Sequence, residues 1–308
     1  MEMRVSRRNF VGLSLATAMT PAGGAQTRKS FSQNGAKMFC LSNRGHTQMF
    51  GTVLISPDGR VAVIDGGTAR ETDALASVVA EYGGEVAEWF ITHAHSDHLG
   101  ALSHLLVHPD IRLKRIGCIR FSFPPLEWIQ THEPRRASSE EAFLNAVASS
   151  HQKVGRLKVG EVCDLGGGTS IDVLNDFDLS IVNNAINNSS ICLSVVHGGR
   201  KILVPGDLGR EGGEWLLRTI PQKLPHEIVF MAHHGQRGVD KSFYKAVNPS
   251  VAIWPTPRWL WDNDASLGRP DRAGGVGSGT FQTNYVKCWM QELGVREQYL
   301  LTQYKLFA

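Results

Sequence analysis

Hydrophobic and polar residues alternate along the chain in two patterns, which together predict a mixed α/β fold. Short apolar runs bounded by turn residues, such as 60–65 and 86–91, predict buried strands. Apolar residues at helical spacing over 70–82 and 97–107 predict helices between them. Further strands are predicted at 46–55, 116–123, 170–174, 190–196, 201–205, 227–232 and 250–254, and further helices at 137–153, 210–219, 240–247 and 281–292. Strands mixed with helices in both halves predict two sheets sandwiched between helices.

Two stretches show neither pattern. Residues 124–136 are polar and are predicted as a connecting segment, and residues 255–280 are predicted as a long covering or functional loop. The segment 254–262 is rich in tryptophan. It is either a hydrophobic plug that packs the loop onto the core or an aromatic wall of a substrate cleft, and packing is the favoured interpretation.

The N-terminal segment has the three parts of an export signal. Arg7 and Arg8 are followed by a short apolar stretch and then by small residues up to Ala25. The arrangement of Ser6, the two arginines and Phe10 resembles a twin-arginine signal, with a general secretory signal or a disordered basic tail as alternatives. We predict an export signal over 1–25, a flexible leader over 26–36 and one folded domain over 37–308. We therefore expect a periplasmic or extracellular protein with no membrane span after cleavage.

Composition narrows the class of protein. With 42% hydrophobic residues, 20% charged residues and a net charge of +3, the chain is typical of a globular protein. That charge is too small to indicate nucleic-acid binding by itself. The five cysteines are odd in number and form no C-x-x-C pair, which argues against a disulfide framework and a zinc ribbon. Cys192 lies in an apolar run and is predicted to be buried.

The candidate chemistry lies directly after the predicted strand 86–91. Within six positions the chain places His93, His95, Asp97 and His98. Imidazole nitrogens and carboxylate oxygens are the ligands that ions such as zinc prefer. Four such residues in an H-x-H-x-D-H pattern after an apolar strand predict a metal site, because surface composition alone rarely produces this spacing.

With that motif the chain resembles the metallo-β-lactamase superfamily over nearly its whole mature length. The match continues in Asp65 at the end of an early strand, in Asp207 after 203–206, and in the His233-His234-Gly235 segment. The resemblance implies an α/β fold, the metallo-β-lactamase-like αββα four-layer sandwich. It also implies a metal-dependent hydrolase.

The resemblance also implies a role for each site residue. The implied metal ligands are His93, His95, Asp97, His98, Asp207 and His233. Asp207 would bridge the two ions, and Asp65 would hold the histidine loop in place. Which of His233 and His234 is the ligand stays open. We prefer His233, which is nearer the predicted strand end, and expect His234 to act as a proton donor or substrate contact.

One departure from the family pattern concerns the first metal. Most members carry a further histidine between the H-x-H-x-D-H motif and the late aspartate, but the matching stretch 187–193 has none. His197 follows it and is expected to be exposed in a hairpin turn. This arrangement resembles the hydrolase domain of competence DNA-uptake channel proteins and its stand-alone relatives. The first site could be completed by Asn188 or water, and could favour a harder ion such as manganese.

The expected activity is hydrolysis with one or two divalent ions, zinc being preferred over manganese. Asp97 and Asp207 would orient the attacking water, and His234, Asn188 or Ser190 would stabilise charge developing on the substrate. The preferred substrate is a phosphodiester or a related ester. The alternatives are a hydrolase of small esters, lactones or β-lactams, and a non-catalytic metal-binding protein. Besides substrate and export machinery, no partner is inferred.

Two basic clusters bear on the choice of substrate. Arg112, Lys114, Arg115 and Arg120 form one, and Arg135 with Arg136 forms the other. Either cluster could meet a phosphate group, but solvated protein surface is the favoured interpretation of both.

Overall fold

A computed structural model describes residues 29–33, 35–43 and 46–301 of the chain. In these ranges the protein forms two seven-stranded sheets. The strands are β1 (Lys29–Gln33), β2 (Ala36–Cys40), β3 (Gly51–Ile55), β4 (Val61–Asp65), β5 (Glu85–Phe90), β6 (Arg115–Phe121), β7 (Val154–Arg156), β8 (Val162–Asp164), β9 (Ser170–Val173), β10 (Leu193–His197), β11 (Arg200–Val204), β12 (Ile228–Phe230), β13 (Val251–Trp254) and β14 (Glu297–Leu300). The predicted export signal 1–25 lies outside the described residues.

Helices connect and cover the strands. They are α1 (Thr72–Glu81), α2 (Ser96–Val107), α3 (Leu126–His132), α4 (Ala137–Ser150), α5 (Ala185–Asn188), α6 (Arg210–Thr219), α7 (Lys241–Val247), α8 (Arg258–Trp261) and α9 (Thr283–Glu292). Short 3-10 turns occupy Ala69–Glu71, Pro221–Lys223 and Ala232–Gly235. At the first of these turns Thr68 and Glu71 form a reciprocal capping box, which fixes where the chain turns into α1.

The two sheets have mirrored topologies. In the first sheet β1 to β4 are antiparallel and β4 to β7 are parallel, in sequence order. In the second sheet β8 to β11 are antiparallel and β11 to β14 are parallel. The carboxyl ends of parallel strands share one edge of each sheet, so residues that follow β4, β5, β11, β12 and β13 are brought together there.

Three hydrophobic clusters separate four layers, as the alternation of side chains along the strands requires. In the first sheet Val63 packs against the cluster under α1, α2 and α4, whereas its neighbour Ile64 faces the second sheet. In the second sheet Val229 packs under the helices α6, α7 and α9, whereas Phe230 faces the first sheet. The predicted αββα sandwich is confirmed.

Most predicted elements are present with shifted ends. A turn at 57–59 joins β3 to β4, where the amide of Gly59 donates to the carbonyl of Ser56 at 2.8 Å. Gly59 adopts a φ of 79°, which favours glycine at this position. The predicted strand 46–55 is shorter, since residues 46–50 are loop and only Gly51–Ile55 is strand.

Other expectations need correction. Residues 26–36 are not entirely a flexible leader, because Lys29–Gln33 forms β1 and pairs antiparallel with β2. The polar stretch 124–136 contains α3, and the loop 255–280 contains α8. His197 is buried rather than exposed, since its Nδ1 lies 3.0 Å from Thr169 Oγ1 and its Nε2 lies 3.0 Å from the carbonyl oxygen of Lys37.

The tryptophan-rich segment packs into the fold at its start. Trp254 is fully buried, and its ring meets Trp261 edge-on with 5.1 Å between centroids. Its Nε1 donates to Gln298 Oε1 at 3.1 Å. For Trp254 the favoured packing interpretation therefore holds. No disulfide joins the five cysteines, all of which lie in the described ranges, and Cys192 is fully buried as predicted.

Candidate metal centre

Asp65 organises the base of the site from the end of β4. Its carboxylate accepts hydrogen bonds from the Thr92 amide at 2.7 Å and the Thr92 hydroxyl at 2.8 Å. The same carboxylate lies 2.7 Å from His98 Nδ1. Its own carbonyl accepts from Trp89 Nε1 at 2.6 Å. Asp65 is fully buried, so the structure places it where the sequence predicted, holding the loop that carries the histidines.

The histidine motif is arranged by the end of β5 and the start of α2. His93 follows the strand and is fully buried, whereas His95 is the N-cap residue of α2 and is partly exposed. Asp97 and His98 lie in the first turn of that helix. Because the chain changes from strand to helix within these residues, all four side chains point to one side of the loop.

Asp207 enters the same space from the second sheet. It follows β11, and its amide donates to Ser190 Oγ at 3.1 Å. Gly206, which precedes it, has a φ of 58°, and a Cβ there would lie 3.0 Å from Thr92 Oγ1. Only glycine fits that close approach without strain. The two sheets are thus held together tightly at the point where Asp207 is presented.

One group of candidate ligands consists of Asp97, His98, Asp207 and His234. His98 Nε2 lies 3.2 Å from Asp207 Oδ1. His234 Nε2 lies 3.2 Å from Asp207 Oδ2 and 3.1 Å from Asp97 Oδ2. One ligand atom from each of the four residues lies within 4.8 Å of the others, a span that a single cation could bridge.

A second group shares Asp207 and adds His93 and His95. His93 Nε2 lies 3.8 Å from Asp207 Oδ2 and 3.2 Å from His95 Nδ1. His95 Nε2 is buried and has no hydrogen-bond partner among the described residues. The six residues thus form two adjacent groups with one carboxylate in common.

The donor set fits a divalent cation because several imidazoles are oriented through their far nitrogens. His98 Nδ1 faces Asp65, His93 Nδ1 lies 3.1 Å from Thr92 Oγ1, and His234 Nδ1 lies 3.2 Å from the carbonyl oxygen of Pro255. In each case the Nε2 is turned toward the centre. An imidazole that donates from one nitrogen presents a lone pair on the other, which is how metal-binding histidines are held.

The charges in the centre are strongly coupled. Burial opposes the charged form of every group, yet the pKa of Asp207 is held well below its usual range by His234 and His98 beside it. Burial likewise opposes protonation of His234, but Asp207 and Asp97 raise its pKa to about 9. The pKa of His93, by contrast, is lowered well below its usual value by burial and then by His98. Binding of a cation would therefore displace protons from the imidazoles nearest Asp207.

The geometry corrects the preference between the paired histidines. His234, and not His233, places its Nε2 with Asp97, His98 and Asp207. His233 Nε2 instead lies 3.4 Å from Asn187 Nδ2. Both histidines have positive φ values, 50° and 54°, so the backbone reverses within the turn. The imidazole nearer the strand therefore lies outside both ligand groups.

The polar residues predicted to complete the first group or contact substrate have structural partners. Asn188 accepts from the Gly212 amide at 3.0 Å and donates to Glu211 Oε2 at 3.0 Å, which fixes the start of α6. Ser190 supports the backbone of Asp207. Both side chains thus hold neighbouring loops, and their predicted contact with a substrate or the first metal stays a prediction.

Sequence reasoning missed three residues that shape the centre. Thr92 links Asp65 to His93, and its place directly before the motif was the available signal. Thr256 Oγ1 donates to the carbonyl of His234 at 2.6 Å and so fixes the turn after β12. Asn187 lies beside His233, but nothing in the sequence distinguished it from its neighbour Asn188.

The fold and these candidate metal-binding residues are those of a metallo-beta-lactamase-fold protein. The chain belongs to the metallo-beta-lactamase superfamily, whose family model matches residues 52–241. Among the described residues, no helix combines the length and the apolar character that crossing a membrane requires.

Individual relatives are distant. The chain is 24% identical over 170 residues to ComE operon protein 3 of Bacillus subtilis (strain 168), a match that covers 53% of this chain but 19% of that protein. It thus spans about a fifth of that relative. The fold is similar to that of the metallo-beta-lactamase fold protein YhfI from Bacillus subtilis, with a TM-score of 0.51, 11% identity and coverage of 87% of this chain and 97% of that one. The fold is also similar to that of a putative metal-dependent hydrolase from Parabacteroides distasonis ATCC 8503, with a TM-score of 0.50 and 10% identity. That match covers 90% of this chain and 99% of the other.

Proposed function

We propose that the protein hydrolyses a phosphodiester or a related ester bond, with zinc held by the two ligand groups that share Asp207. The observation that carries this proposal is that both ligand groups contain Asp207. A buried carboxylate stands between two sets of imidazoles, with His93 and His95 on one side and His98 and His234 on the other. Zinc is preferred because imidazole dominates the donor set.

When bound, divalent cations would generate a nucleophile from water at neutral pH and polarise the substrate oxygen. The chain's own residues set the direction of approach. Asp207 is buried, whereas Asp97 keeps a side-chain exposure of 23%. His95 is likewise partly exposed. A substrate would therefore reach the centre along the side formed by His95 and Asp97, and Asp97 would orient the attacking water.

The charges around that opening favour an anionic substrate. Glu133 Oε1 accepts from the amide of Ile186 at 3.0 Å, which ties the turn between α3 and α4 to α5 beside the site. Burial lowers the pKa of His95, and Glu133 is among the charges that oppose this shift, so the turn lies within electrostatic reach of the centre. Arg135 and Arg136 occupy the same turn, are exposed, and make no ion pair within the described ranges.

Two arginines of the other basic cluster are already ion-paired. Arg112 pairs with Asp110 and with Asp73 at 2.8 Å. Arg120 pairs with Glu88 at 2.6 Å and with Glu161 at 2.7 Å. Arg135 and Arg136 have no such partners among the described residues, so they are available to a phosphate group.

The first experiment tests the metal centre. Protein purified without chelator is expected to contain zinc, and Asp207→Ala is expected to lose metal and hydrolytic activity together because it removes a ligand from both groups. Full activity in a metal-free Asp207→Ala protein would refute the proposal. A wild-type protein that never takes up metal would instead support a non-catalytic role.

The second experiment tests the substrate class. The zinc protein is assayed with bis(p-nitrophenyl) phosphate, p-nitrophenyl acetate and the chromogenic cephalosporin nitrocefin, and we expect the phosphodiester to be preferred. The double variant Arg135→Ala/Arg136→Ala is expected to raise KM for the phosphodiester only, with an effect that shrinks at high salt. Arg112→Ala serves as the matched control. A preference for nitrocefin or the acetate would favour the alternative of small esters and β-lactams.

A further inference from the structure

We propose that His233 binds the substrate as a hydrogen-bond donor, and that Asn187 positions it for this role by fixing its tautomer. The proposal rests on the hydrolase function above and adds a residue that belongs to neither ligand group. It starts from a contact between α5 and the turn after β12, where Asn187 Nδ2 lies 3.4 Å from His233 Nε2.

The backbone of this turn keeps the two adjacent histidines apart. His233 and His234 both adopt left-handed conformations, with φ of 50° and 54°. Residues other than glycine rarely adopt the left-handed conformation, and those that do concentrate at functional sites. The amide of His233 donates to the carbonyl of Gly206 at 3.2 Å, which ties the turn to the loop that presents Asp207. As a result His234 faces the ligand groups and His233 lies beside them.

The hydrogen bonds of Asn187 determine which nitrogen of His233 carries the proton. Asn187 Nδ2 donates to Asn184 Oδ1 at 3.0 Å, so the nitrogen of this amide, and not its oxygen, faces His233. A donor at that position requires His233 Nε2 to accept. In the neutral imidazole the proton then sits on Nδ1.

That Nδ1 is buried and has no hydrogen-bond partner among the described residues. Buried donors in proteins are nearly always paired, so an unpaired one calls for a partner that arrives with a ligand. His233 as a whole is partly exposed, as His95 and Asp97 are. An oxygen of the ester bound at the centre would supply the missing acceptor, and the donor would stabilise negative charge that develops on it.

The same contact explains why two neighbouring asparagines differ in role. Asn188 is 4% exposed, and both ends of its amide are engaged with α6 and with the carbonyl of Asn183. Asn187 is equally buried, but within the described ranges its Oδ1 has no hydrogen-bond partner, and its amide nitrogen contacts His233 beside the centre. Asn187 therefore acts through His233, as a positioning residue.

The activity test uses a matched pair of variants that both tolerate a left-handed backbone. His233→Gly removes the side chain, and His233→Asn keeps an N–H donor near the position of Nδ1. In the zinc-loaded protein we expect His233→Gly to lower kcat by roughly 10²-fold, the range seen when one such donor is lost. We expect His233→Asn to recover most of this loss. Zinc content should be unchanged in both.

A spectroscopic test does not depend on turnover. Long-range ¹H–¹⁵N correlation in the zinc protein, with His233→Asn used to assign the signal, should show the His233 proton on Nδ1. Asn187→Leu should redistribute that proton toward Nε2 and lower kcat with little change in KM, whereas Asn145→Leu, on exposed surface of α4, should do neither.

The outcomes separate this inference from the proposed function. A proton on Nε2 in the wild type, wild-type kcat in His233→Gly, or loss of zinc from His233→Gly would each overturn the role assigned to His233. A wild type without hydrolytic activity but with the proton on Nδ1 would contradict the proposed function while leaving the pairing with Asn187 intact.

Discussion

Glu140 should make the stability of the fold fall as the pH rises through neutrality. It lies on the face of α4 that also buries Ala137 and Phe143, and only 1% of its surface is exposed. Neither carboxyl oxygen has a hydrogen-bond partner among the described residues. Burial raises its pKa from the ordinary 4.5 to about 7. A carboxyl group in such surroundings favours its neutral form, because nothing compensates the charge.

The sign and size of the effect follow from proton binding. The folded pKa lies above the unfolded one, so between pH 4.5 and 7 the native state holds a proton that the unfolded chain has lost. The contribution of Glu140 to the free energy of unfolding is fully present below pH 4.5. It falls by about 1.4 kcal/mol for each pH unit up to 7. The total loss is about 3 kcal/mol. This is a large part of the free energy of unfolding of an ordinary domain, which is roughly 5–15 kcal/mol.

Glu140→Gln removes this dependence because an amide stays neutral. We expect the variant to match the wild type near pH 4.5 and to exceed its free energy of unfolding by up to about 3 kcal/mol at pH 8. Urea unfolding at several pH values measures the difference, in which contributions from the metal centre cancel. Glu141→Gln, on the exposed neighbouring position, is the control. A difference between wild type and Glu140→Gln that is the same at both pH values would refute the reasoning.

Three further changes test other parts of the molecule. Asp65→Asn removes the carboxylate that orients His98 and should weaken zinc binding about 10–100-fold without unfolding the protein, as measured by competition with a chromogenic chelator. Trp254→Ala opens a cavity in the second sheet and should lower the free energy of unfolding by about 3–5 kcal/mol in urea, whereas the partly exposed Trp259→Ala should cost much less. Substitution of Arg7 and Arg8 by lysine should leave the full-length precursor in the cytoplasm on immunoblots, if the twin-arginine signal operates; unchanged processing would indicate a general secretory signal.

The parts of the fold that sequence predicts well are those with a long, regular pattern. The helix predicted at 210–219 matches α6, and 97–107 differs from α2 by one residue at its start. Short edge elements escape such prediction. Strands β7 and β8 have three residues each, too few to show an alternation, and they become strands by pairing with β6 and β9. Their formation depends on partners that are distant in sequence.

Helix α3 was missed for a different reason. The stretch 124–136 begins with two prolines and carries several charged residues, which favours a connecting segment. Yet Ile129 is fully buried, and Leu126 and Trp128 pack against the core under the first sheet. Tertiary packing therefore decides the structure of a segment whose local composition argues for a loop.

Sequence could predict a residue of the candidate centre where a single candidate stands at the end of a strand. It could not decide between two adjacent histidines, because that choice depends on the backbone conformation. Asp65 is the last residue of β4 and Asp207 comes shortly after β11, each as a single carboxylate there, so their order along the chain sufficed. For the pair of histidines after β12, nearness to the strand end suggested His233. The left-handed conformations at His233 and His234 reverse this order, and Thr256 and Pro255 hold the turn from the following strand. Since a tandem of identical side chains carries no local signal for that conformation, only the packing of β13 beside β12 selects which imidazole meets Asp207.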